Sequence, residues 1–205
     1  VRKKCCHEKK HFVVTRRNIM KTNYCPRCYE EFNKEKILLE NNICPYCDWS
    51  DSNYYFFLGG HLSQWSYCMF KLEGITFNCS EQYMMYKKAM LYNADDIAQK
   101  ILSTSDASYQ KRLGREVPIN DFTLWDKHKF NIVVNGNLAK FSQDLEHKTV
   151  LLNTKNKIIA EASETDCIWG IGLDTSNPDI WDTEKWRGLN LLGKALMLVR
   201  SELDV

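Results

Sequence analysis

The stretch Ser80-Glu81-Gln82-Tyr83-Met84-Met85-Tyr86-Lys87-Lys88-Ala89-Met90-Leu91 consists mainly of strong helix formers, with a small hydroxyl residue at its head and a carboxylate one place on. It predicts a helix with Ser80 as N-cap and Glu81 in the first turn. Positions seven apart on a helix differ by about 20° round its axis, so Glu81 and Lys88 share a face. Met84 and Met85 lie between them and give that face an apolar floor. An acid and an amine so placed become catalytic when the amine is desolvated, because burial lowers its pKa while the carboxylate opposes the shift. The same pattern also describes a plain surface face on which the two charges stand too far apart to pair.

Outward from this helix, Tyr67–Phe77 has β-formers on both sides of Glu73-Gly74 and reads as a hairpin. Helical patterns run through 94–103, 106–113 with Gly114 as a stop, 122–141, 144–152 and 189–203. Lys157–Ala162 is a short strand, and Ile168–Gly172 a buried strand or turn. There is no repeat, no βαβ alternation and no glycine-rich phosphate loop. The fold class expected is α+β, predominantly helical, with short strands.

The chain has 205 residues, room for one full domain of about 150 residues and a small appendage. With 44% hydrophobic, 12% aromatic and 26% charged residues, it has the composition of a folding globular chain rather than a disordered or fibrous one. No apolar run is long enough to span a bilayer, and the first residues lack the apolar core of a signal peptide, so no membrane partner is expected. The start at Val1 reads as an excised or processed segment.

Charge is uneven along the chain. Residues 1–24 carry eight Lys/Arg against Glu8 alone, a net +7, whereas residues 25–56 net −3 and the remainder −2. The first segment is a basic arm, either solvated or attracted to phosphate through counterion release. Cys25 and Cys28 form one Cys-Pro-x-Cys pair and Cys44 and Cys47 another, with fifteen residues between the pairs. Two such pairs within an odd total of nine cysteines suit a reducing, cytoplasmic compartment and one structural Zn held by four thiolates. A glutaredoxin-like site would need a core strand before Cys44 and a long helix after Cys47, and turn residues stand in both places. A zinc deaminase would need His-x-Glu and a proline before a Cys pair. Cys5, Cys6, His7 and His11 form a weaker second cluster. The expected organisation is an arm at 1–24, a zinc-ribbon-like segment at 25–56 and the main domain at 57–205.

Glu161–Gly172 concentrates carboxylates, Trp169 and two glycines, which suits a tight backbone beside a stacking surface as well as it suits a structural turn. Trp125, Trp181 and Trp186 read as core anchors. His61, His128 and His147 are isolated, and no Ser/His/Asp arrangement is expected.

Certain stretches carry a likeness beyond these local patterns. They are Ser80–Ala89, Leu113-Gly114-Arg115, Trp125 with Lys127, Gly136–Gln143, Glu161-Ala162-Ser163, Asp166 with Ile168–Leu173, and Trp186–Met197. In this order they resemble the NADAR domain, also called the YbiA-like family, whose members are N-glycosidases and ADP-ribosyl hydrolases. The family pattern has a lysine seven places after its glutamate, and Lys88 meets it. Tyr86 stands where a small residue is frequent. Lys127 stands where arginine is frequent, and lysine lacks the bidentate fork.

The resemblance implies a compact multihelical fold with Glu81, Lys88 and Asp166 as catalytic residues. It also implies substrate contacts from Arg115, Trp125, Lys127, Asn137, Lys140, Trp169, Gly170 and Asn190. Lys88 would serve as nucleophile through a Schiff base, or alternatively as a phosphate partner. One branch of the family implies ADP-ribose on guanine bases of nucleic acid as substrate, which the basic arm and the zinc ribbon favour. Another implies phosphoribosyl-amino-pyrimidine intermediates of riboflavin synthesis. A non-catalytic ADP-ribose or nucleic-acid binding module is the reading from a different class.

Overall fold

The computed structural model describes residues 53–204. The basic arm, Cys5, Cys6, His7, His11 and the proposed zinc ligands Cys25, Cys28, Cys44 and Cys47 lie outside the described residues. The described elements are β1 (Tyr54–Phe57), β2 (Phe70–Leu72), β3 (Ile75–Phe77), α1 (Ser80–Leu91), α2 (Asp95–Leu102), α3 (Ala107–Glu116), α4 (Phe122–Gln143), α5 (Leu145–Asn153), β4 (Ile158–Glu161), two short 3₁₀ turns (Pro178–Trp181 and Thr183–Lys185) and α6 (Leu191–Leu203). They fall into two compact units, one of residues 53–61 and 153–193, the other of residues 62–152 and 194–204. No described helix is long and apolar enough to cross a membrane.

The first unit is built on a parallel pair, β1 with β4, in the register Tyr54 to Ile158 and Phe57 to Glu161. Parallel strands need a long crossover, and here the whole of residues 62–152 lies between them in the chain. Because β1 starts at Tyr54, the domain edge read at 57 cuts through a strand, and residues 54–56 belong to the main domain. Side chains two apart on a strand share a face. Tyr54 and Phe56 therefore stack together at 5.5 Å, with Trp181 edge-on to Phe56 at 5.1 Å. Phe56, Ala160, Ala162, Ile171, Leu173 and Ile180 form the small core, with Trp186 packed against it and donating its indole N–H to the Ile180 carbonyl at 2.8 Å.

In the second unit the expected hairpin is present. Glu73 and Gly74 both have positive φ, 53° and 81°, which is the turn geometry that matches the twist of a two-residue hairpin. Helix α1 is the hub, packing against α2, α3 and α4, and it is buried from Ser80 through Met85 and again at Ala89. Its N-cap is Cys79 rather than Ser80. The Cys79 sulfur accepts from the Gln82 N–H at 3.4 Å, and Ser80 is already the first helical residue. Asp106 caps α3 and Asp121 caps α4 through their carboxylates, as the preference for short polar caps requires.

Gly114 does not stop α3, which continues to Glu116. A Cβ at Gly114 would stand 1.9 Å from Met85 Sδ, and one at Gly136 would stand 2.5 Å from the Tyr83 ring. Both glycines are therefore close-approach positions where α3 and α4 pass over α1. Ile168–Gly172 is a run of bends, with no strand.

Candidate active site

Glu81 is 2% exposed, so the plain surface-face reading of Glu81 and Lys88 is overturned. Its backbone N–H, one of the unpaired donors of the first helical turn, donates to the Gln64 carbonyl at 2.9 Å. Its carboxylate stands where the positive end of the helix dipole favours a negative charge. The Cys79 thiol beside it is pushed up to about 11, mainly by burial, with the charge of Glu81 raising it and that of Lys140 lowering it. Both charges therefore reach this first turn.

Two residues of α4 meet the same segment. Asn137 donates to Gln64 Oε1 at 2.9 Å and to the Val133 carbonyl at 2.8 Å, and its own oxygen accepts from Ser80 Oγ at 3.3 Å. Lys140, fully buried, donates from Nζ to the Ser63 carbonyl at 2.9 Å. Ser63 and Gln64 thus tie together Glu81, Asn137 and Lys140, and sequence reasoning passed over both. The available signal was weak: a polar pair after Leu62, in a segment without period.

At the other end of α1, Lys88 is half-buried, and its Nζ donates to the Gly114 carbonyl at 2.6 Å. The ammonium lies 5.5 Å from the centre of the Trp125 ring. Burial holds the amine below its ordinary range; the Glu81 charge opposes that shift and the Arg115 charge adds to it. Trp125, whose backbone N–H donates to the Tyr92 hydroxyl at 3.1 Å, is thus a neighbour of the amine rather than a core anchor. Arg115 is exposed on α3, one residue beyond the carbonyl that Lys88 holds. Lys127 is also exposed. Two residues on from Trp125, it points about 200° away round α4, and the structure does not bring it to Lys88.

The remaining candidates sit in the other unit. Asp166 Oδ1 accepts from the backbone N–H groups of Ile168 at 3.0 Å and Trp169 at 2.8 Å, closing a local turn. Trp169 is half-buried. A Cβ on Gly170 would stand 2.9 Å from the Asp166 carbonyl oxygen, so only glycine fits there. Asn190, with φ 51°, donates to the Ile159 carbonyl at 2.9 Å and accepts from the Glu161 N–H at 3.3 Å. Its amide braces β4.

Among the described residues, Cys68, Asp144 and His147 offer potential metal-ligand atoms that lie within 4.8 Å of one another. The Cys68 thiol is pushed up to about 11 by burial first and the Asp144 charge second, and a metal would have to displace that proton.

Against this geometry, the NADAR domain pattern matches residues 51–204. The chain belongs to the NADAR family. A NADAR relative, the N-glycosidase R617 of Acanthamoeba polyphaga mimivirus, is 46% identical over 150 residues, 70% of this chain and 88% of the viral protein. The riboflavin biosynthesis protein PYRR of Zea mays is 31% identical over 114 residues, 54% of this chain but 16% of the maize protein. The solved NMR structure of Escherichia coli YbiA superposes with a TM-score of 0.61 at 25% identity, covering 76% of this chain and 87% of YbiA. The mostly helical NADAR fold with a few short strands is therefore shared with YbiA.

Proposed function

We propose that the chain hydrolyses the N-glycosidic bond between ADP-ribose and guanine bases of nucleic acid. The chain is a glycosidase by its family and by relatives named N-glycosidases. The observation that carries the residue assignment is the half-buried Lys88 amine, held below its ordinary pKa on the same helix as buried Glu81. Breaking an N-glycosidic bond builds positive charge at the anomeric carbon, which a fixed carboxylate stabilises. In the proposed reaction Glu81 supplies that charge. Neutral Lys88 bonds to the anomeric carbon as the bond to guanine breaks and guanine leaves with one amine proton. The ring C–O bond then opens to a Schiff base, its oxygen taking the second amine proton, and water hydrolyses the Schiff base to release ADP-ribose and restore the amine.

Asp166 is the second proposed carboxylate. Trp125 and Trp169 are the proposed stacking faces, and exposed Arg115 and Lys127 the proposed phosphate partners. Asn137, Lys140, Gly170 and Asn190 serve in this reading by holding shape, since their polar groups or packing are engaged with backbone and neighbouring side chains. Cys25, Cys28, Cys44 and Cys47 are proposed to bind one structural Zn. Metal analysis should give at least one Zn per chain, lost on Cys25→Ser or Cys44→Ser, with glycosidase turnover at least partly kept.

The maize relative favours a second reading, in which the substrate is a phosphoribosyl-amino-pyrimidine intermediate of riboflavin synthesis. Incubation with guanine-ADP-ribosylated DNA, and separately with the riboflavin-pathway intermediates, decides between them. Released ADP-ribose supports the first reading, and released ribose 5-phosphate replaces it with the second.

A further inference from the structure

Within the helical unit, apart from the Glu81 and Lys88 site, Ser66, His147 and Asp144 form a hydrogen-bonded series. Ser66 Oγ stands 2.9 Å from His147 Nε2, and His147 Nδ1 stands 2.9 Å from Asp144 Oδ1. Ser66 and His147 are 81 positions apart, and the expectation that the chain holds no Ser/His/Asp arrangement is corrected by the fold.

The proton positions follow from the partners. An aspartate carboxylate is ionised near neutral pH and only accepts. In the neutral imidazole Nδ1 carries the hydrogen that Asp144 accepts, which leaves Nε2 with a lone pair. In that tautomer the Ser66 hydroxyl donates to Nε2, the polarity that an activated serine needs.

The base is also held rigidly. Asp144 Oδ1 accepts from the His147 backbone N–H at 2.9 Å, and the Phe141 ring meets the imidazole edge-on at 6.2 Å. His147 is buried whereas Ser66 is only half-buried, and the flanking Trp65 and Tyr67 are 46% and 69% exposed. The hydroxyl is thus reachable beside an apolar surface. The Cys68 thiol, pushed up to about 11 by burial and then by Asp144, stays protonated and is no rival nucleophile.

We propose that Ser66, His147 and Asp144 form a second hydrolytic centre that cleaves carboxylic esters. Ser66 Oγ bonds to the ester carbonyl carbon while its proton passes to His147 Nε2. The bond to the alcohol oxygen breaks, and the alcohol departs with that proton. Water then attacks the acyl carbon and gives a proton to Nε2. The bond to Oγ breaks, the carboxylic acid leaves, and Oγ recovers the proton.

The test uses the whole chain with a fluorophosphonate probe and with 4-nitrophenyl acetate. The expected result is one fluorophosphonate adduct, on Ser66 by peptide mass spectrometry and absent after denaturation in urea. Ser66→Ala should lose the adduct and slow nitrophenol release about 100-fold or more while melting at the wild-type temperature. Asp144→Asn, which leaves His147 in the wrong tautomer, should label more slowly. No adduct on the native protein, an adduct at another residue in place of Ser66, or wild-type ester hydrolysis by Ser66→Ala would each show the series to be structural only.

Discussion

Lys88 Nζ donates to the Gly114 carbonyl oxygen at 2.6 Å, across 26 positions of sequence. The residue that gives the amine its acceptor is also the one that lets α3 close on α1, because a side chain there would collide with Met85. Helix packing and the placing of the candidate nucleophile are therefore the same contact.

Gly114→Ala should lower stability by about 1–3 kcal/mol through overpacking, read as a fall in melting temperature. Met85→Ala, costly by itself because Met85 is buried, should combine with it less than additively, since it removes the sulfur that the new methyl would meet. Purely additive losses in the double variant would show that the collision is not what makes glycine necessary.

Borohydride added during turnover on guanine-ADP-ribosylated DNA should trap a sugar adduct on Lys88, and Lys88→Ala should abolish both adduct and turnover. A Lys88→Arg enzyme with appreciable activity and no adduct would make the residue a phosphate partner instead. Glu81→Gln should cost about 100- to 1000-fold in rate, the usual loss for one preorganised charge. Near wild-type speed would move the carboxylate role to Asp166.

The lowered pKa of Lys88 has a definite sign in both stability and rate. Between the folded-state pKa and the ordinary value of 10.5, the unfolded chain binds more protons than the folded one, so stability rises with pH across that window. Below it, the charged, half-buried amine weighs against the fold. Lys88→Met should remove this rise in chemical denaturation measured at several pH values. The turnover rate should climb with pH to an inflection below 10.5. Glu81→Gln should move the inflection down in whatever activity survives, because the carboxylate favours the charged amine, and Arg115→Ala should move it up. Shifts in the opposite directions would mean that another group titrates.

Asn190 holds a positive φ of 51° and braces β4 through both ends of its amide. Asn190→Gly keeps the backbone conformation and loses two hydrogen bonds, for an expected loss of about 1–3 kcal/mol in urea denaturation. Asn190→Ala adds left-handed strain and should cost about 1 kcal/mol more. Equal losses would mean that φ contributes nothing.

Much of the helical architecture was legible in the sequence because its signals are local. Asp106 and Asp121 mark the starts of α3 and α4, and Glu73-Gly74 specifies its hairpin, since caps and turns involve residues only a few places apart. Pairing Glu81 with Lys88 needed only helical period, and the NADAR stretches needed only their order in the chain. Tertiary structure decided the rest. Gly114 carries the same local signal whether it ends a helix or admits a neighbouring one, and only Met85 on the facing helix settles which. Tyr54–Phe56 reads as the tail of the cysteine-rich segment until it pairs with Ile158–Ala160, about a hundred residues later in the chain. Burial of Glu81, the Ser63–Gln64 bridge to Asn137 and Lys140, and the Ser66–His147–Asp144 series likewise join groups far apart in the chain. Such contacts form only when packing has excluded water, so no short-range pattern records them.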